Sequence, residues 1–165
     1  ATLYAGLKSL PESRKRAFVA LLLLTGCRAG EAERITVGDV DLVTGYLTLR
    51  DTKNGQDHRV YLSDECAEFI APYIKGNEAN QIFGRCALDG NFYDYVKQIN
   101  LPKFGPHDLR KCFAITAMEI GIQYPVIKKA LNHSTGDVTL AHYAQATPSQ
   151  LRDCWGRVAQ FYKGE

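Results

Sequence analysis

Eight consecutive apolar residues at 17–24, reading AFVALLLL, constrain this chain more than any other feature of its sequence. A bilayer-spanning helix needs about 20 such residues, so the run is too short to cross a membrane. Glu12, Arg14, Lys15 and Arg16 crowd its N-terminal side, and the pattern continues beyond it as ordinary globular sequence, which also argues against a signal peptide. The run therefore belongs to a folded core. The 165 residues suit one domain, and 45% hydrophobic with 23% charged residues excludes global disorder.

Cysteine usage points to a reducing compartment. Cys27, Cys66, Cys86, Cys112 and Cys154 are odd in number, widely spaced and without a CxxC pair. A disulfide framework or zinc site is disfavoured, and the expected location is cytoplasmic. The net charge of +2 and pI near 8.3 permit a nucleic-acid partner without demanding one.

Residues 11–26 read as a helix, with Pro11 suited to the first turn and Gly26 to the stop. A short helix is expected at 30–35, then a connector over 37–41. Residues 46–49 (YLTL) and 58–62 (HRVYL) are β-branched and aromatic enough for strands, separated by a turn containing Asn54-Gly55. This predicts a hairpin or small sheet with Lys53 near the turn and His58 exposed. Ser63 is an N-cap candidate. Further helices are expected at 64–74, 91–99, 107–120, 124–131, 138–143 and 149–162. The fold class is mainly α with one small antiparallel β-sheet (α+β).

Four short pieces stand out: TGCRAGE at 25–31, TKNG at 52–55, HDLR at 107–110, and LNHST at 131–135 followed by His142-Tyr143. Each is weak alone, but their order and spacing are specific. Together they make the chain resemble the catalytic domain of the tyrosine recombinases, or phage integrases, from about Leu10 to about Leu151. The family's functional positions fall on Arg28, Lys53, His107, Arg110, His133 and Tyr143. The chain departs from many members at Lys111-Cys112, and in a slightly longer interval between His133 and Tyr143.

The resemblance implies a site-specific recombinase that cleaves and rejoins DNA strands without metal or cofactor, through a 3′-phosphotyrosine. The chemistry of the residues fits those roles. Phosphoryl transfer asks a protein for positioning and charge stabilisation, and guanidinium forks match phosphate oxygens, which suits Arg28 and Arg110. Arg110 lies three residues after His107, on the same helix face. Tyr143 would be the nucleophile. Lys53 would be the general acid for the leaving 5′-oxygen, and His107 and His133 would contact the phosphate or take the tyrosine proton. Glu31 is expected either to orient Arg28 or a histidine from behind or to be a carboxylate on the helix surface.

The implied partners are double-stranded DNA and other recombinase protomers, the latter through the amphipathic stretch 149–162, which could equally cover its own core. Residues 1–165 are read as a single catalytic domain without the family's N-terminal DNA-clasping domain. The competing readings are a type IB topoisomerase-like enzyme and a non-catalytic DNA-binding module of the same fold.

Overall fold

The computed structural model describes residues 2–53, 55–76, 78–84, 92–99, 103–133 and 146–164. The apolar run forms the middle of helix α2 (Arg14–Thr25), in which every residue from Ala17 to Thr25 is buried. A helix apolar on all sides must be wrapped on all sides. Here α1 (Thr2–Ser9), α4 (Asp64–Ile70), α6 (Pro106–Glu119) and α8 (Pro148–Lys163) all pack against it. Between α2 and α4 lie the short α3 (Ala29–Ala32), a 3₁₀ turn (Val37–Asp39) and the strands. Helices α5 (Phe92–Lys97) and α7 (Tyr124–Ala130) complete the described elements. None of the described helices is long and apolar enough to cross a membrane.

Strands β1 (Val40–Asp41), β2 (Tyr46–Leu49) and β3 (His58–Tyr61) form an antiparallel sheet in the order β1-β2-β3. The register Leu47↔Val60 and Leu49↔His58 puts these four side chains on the buried face. Tyr46, Tyr61 and Arg59 occupy the outer face, where Arg59 stacks on Tyr46 and Arg152 on Tyr61. The mainly α class with a small antiparallel sheet is thus as the sequence predicts.

Several local expectations shift. Helix α2 starts at Arg14, because Ser13 caps it by accepting the Arg16 amide at 3.1 Å, and Pro11 lies before it. The stretch read as a connector supplies β1 and a 3₁₀ turn. Helix α1, which buries Tyr4 and Leu7, was not anticipated. The expected helix at 64–74 is α only to Ile70 and then tightens into a 3₁₀ turn at Ala71–Tyr73, where Pro72 cannot donate an amide. Ser63 does cap α4, accepting the Cys66 amide at 3.3 Å.

The amphipathic stretch near the C-terminus folds as α8 and buries Cys154, Trp155, Val158, Ala159 and Tyr162 against its own chain. The Tyr162 hydroxyl accepts a hydrogen bond from Thr116 on α6, and Trp155 Nε1 donates to the Thr25 carbonyl at the end of α2.

Gly26 is where these helices meet. It takes the left-handed conformation (φ 68°) that ends α2, and a Cβ there would sit 2.6 Å from Leu131 Cδ2 and 2.9 Å from the Phe113 ring. Both the backbone angle and the space demand glycine. Gly26→Ala is expected to lose about 2–4 kcal/mol of stability, from left-handed strain plus overpacking. A urea titration followed by circular dichroism measures this.

Candidate active site

The site starts at the end of α2. Thr25 Oγ1 donates back to the Leu21 carbonyl and accepts the Cys27 amide, so the chain leaves the helix in a fixed direction. Arg28 then opens α3. The Glu31 carboxylate, only 6% exposed, accepts both the Arg28 amide (3.2 Å) and its Nη1 (2.8 Å). One acid therefore caps the short helix and holds the half-buried arginine from behind. Of the alternatives left open for Glu31, the observed one is contact with Arg28; it is not a surface carboxylate. Burial pushes the neighbouring Cys27 thiol up to about 12, which keeps it protonated.

Arg110 comes from the second turn of α6 and is 5% exposed. Its Nη1 donates to the Gly26 carbonyl at 2.6 Å and its Nη2 to the Leu131 carbonyl at 2.5 Å. Burial, and then the charge of Arg28, lower its pKa, while Glu31 opposes them. The two arginines thus face one another's fields.

His133 is placed by the way α7 ends. Asn132 adopts a left-handed conformation (φ 51°), its amide bonds the Lys129 carbonyl, and the His133 amide bonds the Lys128 carbonyl, each at 3.0 Å. This is a Schellman ending, with Asn where glycine is commonest. The imidazole is exposed. Its pKa is lowered first by partial desolvation and then by the positive fields of Arg110, Arg28, Lys128 and His107. His107 is itself exposed, on the first turn of α6. The capping there is done by Asp108, which accepts the Gly105 amide, so His107 is not the cap.

Lys53 stands on the β2–β3 connection. β2 and β3 pair as expected, but the connection from Leu49 to His58 is longer than a two-residue Asn-Gly turn. Positive φ falls on Asp51 (43°) and Gly55 (69°), and the Gly55 amide closes a turn onto the Thr52 carbonyl at 2.7 Å. Lys53 is exposed and lines an open cleft of about 300 Å³ together with Arg28, Gly30, Glu31, Arg34 and Asp51. The structure thus puts Arg28, Glu31 and Lys53 on one cleft, and Arg28, His107 and Arg110 within electrostatic reach of His133. Tyr143, with His142 and the expected helix at 138–143, lies outside the described residues.

Against this geometry the sequence can be compared with known proteins. A sequence model of the phage integrase family matches residues 2–150. The chain belongs to the phage integrase family. Tyrosine recombinase XerA of Saccharolobus solfataricus is 32% identical over 131 residues, covering 77% of this chain and 44% of that protein. Tyrosine recombinase XerD of Staphylococcus haemolyticus is 26% identical over 161 residues, 87% of this chain and 54% of the relative. The chain thus spans about half the length of the curated relatives it matches. Among solved structures, the catalytic domain of bacteriophage HP1 integrase is 29% identical with a TM-score of 0.63, covering 92% of this chain and 86% of that one. A crystal structure of XerA recombinase is 25% identical with a TM-score of 0.69, covering 94% and 59%. The fold of this integrase-family chain is that of a tyrosine recombinase catalytic domain.

Three residues near the cleft of this integrase-family chain were not read as part of it. Arg34 lines the cleft and donates to the Asp51 carbonyl at 3.2 Å, and no sequence signal singled it out. Asn132 carried one, since asparagine tolerates the left-handed conformation that ends a helix. His58 was expected to be exposed and is instead 9% exposed, its Nε2 3.0 Å from the Ala130 carbonyl and its ring near Trp155. The period of two along β3 puts His58 on the inner face with Val60, a signal present in the sequence.

Burial holds the His58 pKa below its ordinary 6.5; the Ala130 carbonyl and Glu31 oppose this, while Lys129 and Arg110 reinforce it. The folded state therefore keeps the neutral form. The associated stability is complete above the unfolded value and is lost as pH falls from there through the depressed folded value. His58→Gln, which cannot titrate, is expected to flatten the fall in urea midpoint between about pH 7 and about pH 5. His133 shifts the same way but is common to both proteins, so the difference between their curves isolates His58.

Proposed function

We propose that this chain is the catalytic unit of a site-specific DNA recombinase or integrase that cleaves and rejoins strands through a 3′-phosphotyrosine, without metal or cofactor. The observation that carries the reading is the convergence of Arg28, Arg110, His107 and His133 in one electrostatic field, with Lys53 on the cleft that Arg28 also lines. A phosphodiester is the substrate such a cleft suits, because its charge is spread over oxygens that rigidly held guanidinium groups can bind.

In this reading Arg28 and Arg110 hold the non-bridging oxygens. Each is fixed from behind, one by Glu31 and the other by two carbonyls, which preserves their aim. The Tyr143 hydroxyl attacks phosphorus and gives its proton to a histidine, His133 or His107. The bond from phosphorus to the 5′-oxygen breaks, and Lys53 supplies the proton that oxygen takes up. Rejoining reverses these steps, with a 5′-hydroxyl as the nucleophile. Because the phosphotyrosine conserves the bond, no energy source is consumed.

The partners in the proposal are double-stranded DNA and further protomers, acting in the cytoplasm. Residues 1–165 form the catalytic domain, and the greater length of the relatives leaves room for a DNA-clasping domain outside it. A protomer contact through 149–162 would use the outer side of α8, where Phe161 is exposed, since the inner side is covered by its own chain.

The test is covalent trapping on a nicked suicide DNA followed by mapping of the modified residue, with an adduct on Tyr143 expected. Tyr143→Phe is expected to bind DNA with unchanged affinity and form no adduct, and an adduct in that variant overturns the assignment. Lys53→Ala is expected to cleave an ordinary substrate about 10²–10⁴-fold more slowly and to recover on a 5′-bridging thiolate, which leaves without an acid. Relaxation of supercoils without exchange between paired sites would instead identify a topoisomerase.

A further inference from the structure

The last turn of α7 does more than present His133. Four consecutive residues there each face a different part of the site. The Ala130 carbonyl meets His58 on β3, and the Leu131 carbonyl accepts Arg110 from α6. Asn132 Nδ2 donates to Thr52 Oγ1 at 2.9 Å, and the next residue is His133. Thr52 is 3% exposed and directly precedes Lys53. Its hydroxyl donates to the Gln56 carbonyl at 2.7 Å while accepting from Asn132, so the hydrogen bonds define its orientation from both sides.

The Asn132 backbone explains why an asparagine can do this. At φ 51° a glycine would satisfy the helix ending equally well, but would bring no side chain. Asparagine tolerates the angle and adds an amide that spans 80 positions of sequence to the loop carrying the lysine. Apart from that bond, the described residues of the Lys53 loop are tied to the body of the domain through the ion pair of Arg50 with Asp39 and the Arg34 contact to the Asp51 carbonyl, both on the strand β2 side of Lys53. A lysine side chain is long and flexible, so the placement of its turn decides how often the amine reaches the reacting phosphate.

We propose that Thr52 and Asn132 are positioning residues, a latch that sets the Lys53 turn in register with His133 and Arg110. The inference rests on the function proposed above, and specifically on Lys53 as the acid. Neither residue touches the DNA; both act through the lysine. The latch therefore governs protonation of the leaving oxygen and leaves attack and phosphate binding untouched.

Asn132→Gly removes only the amide while preserving the left-handed ending, and Thr52→Val removes only the hydroxyl at nearly constant volume. The measurement is the rate of adduct formation on suicide DNA with either oxygen or sulfur at the 5′-bridging position. On the oxygen substrate each variant is expected to be slower by about tenfold, the worth of one well-placed hydrogen bond. On the sulfur substrate each is expected to match the wild type; on the oxygen substrate the double variant is expected to be no slower than Thr52→Val alone, which already breaks the contact that Asn132→Gly removes.

Equal slowing on both substrates would mean a general loosening of the site and would overturn the latch, as would unchanged rates on oxygen. Lys53→Ala run alongside separates the two levels. If sulfur restores Lys53→Ala but not Asn132→Gly, the latch alone fails. If sulfur does not restore Lys53→Ala, the acid assignment fails and the latch goes with it.

Discussion

A buried guanidinium joins the helices of this domain. Arg110 has given up its water, and the carbonyls of Gly26 and Leu131 replace it. Both carbonyls lie at helix C-termini, of α2 and α7, where the helix dipole places negative charge. One cation from α6 thus satisfies two helix ends that would otherwise be buried and unpaired. Removing either side of such an arrangement costs about 3–5 kcal/mol, since it strands a buried charge or buried acceptors. The rest of the site is built outward from these contacts. Arg28 stands two residues beyond Gly26 and His133 two residues beyond Leu131, so the two groups inherit their positions from the same guanidinium.

The charge of the whole chain conceals the charge of this region. A net value of +2 gives no hint that Arg110, Arg28 and Lys128 all act on His133. Acids lie close to them as well: Glu31 holds Arg28 from behind, and Asp51 lines the cleft beside Lys53. Mutual repulsion among the cations is tolerable because the frame holding them is rigid. An anion seated between them would relieve it, which is the electrostatic condition for tight but chemically selective phosphate binding.

Much of this was legible in the sequence because the groups that carry chemistry sit at helix ends, where local rules are strong. Gly26 announced the end of α2, and the short pieces around Arg28, Lys53, Arg110 and His133 marked residues that the fold brings near one another. What was not legible depends on tertiary partners. Whether Glu31 faced solvent or Arg28 required the packing of α3. The hydrogen bond between Asn132 and Thr52 joins residues far apart in sequence, and no local pattern encodes such a pairing. Helix α1 went unseen because it is short; docking against α2 and α8 stabilises it. His58 was misread for a different reason: a polar residue on the inner face of a strand is satisfied by a carbonyl that only the folded chain brings near.

The bond from Trp155 to the Thr25 carbonyl has a consequence in time. It spans 130 positions and closes on the residue that directs the chain toward Arg28. During synthesis the TGCRAGE segment emerges early, but its carbonyl partner arrives only with α8. A nascent chain halted before Trp155 leaves that carbonyl unsatisfied and α2 uncovered on one side. Assembly of the cleft therefore waits on a segment translated about a hundred residues after the ones that line it.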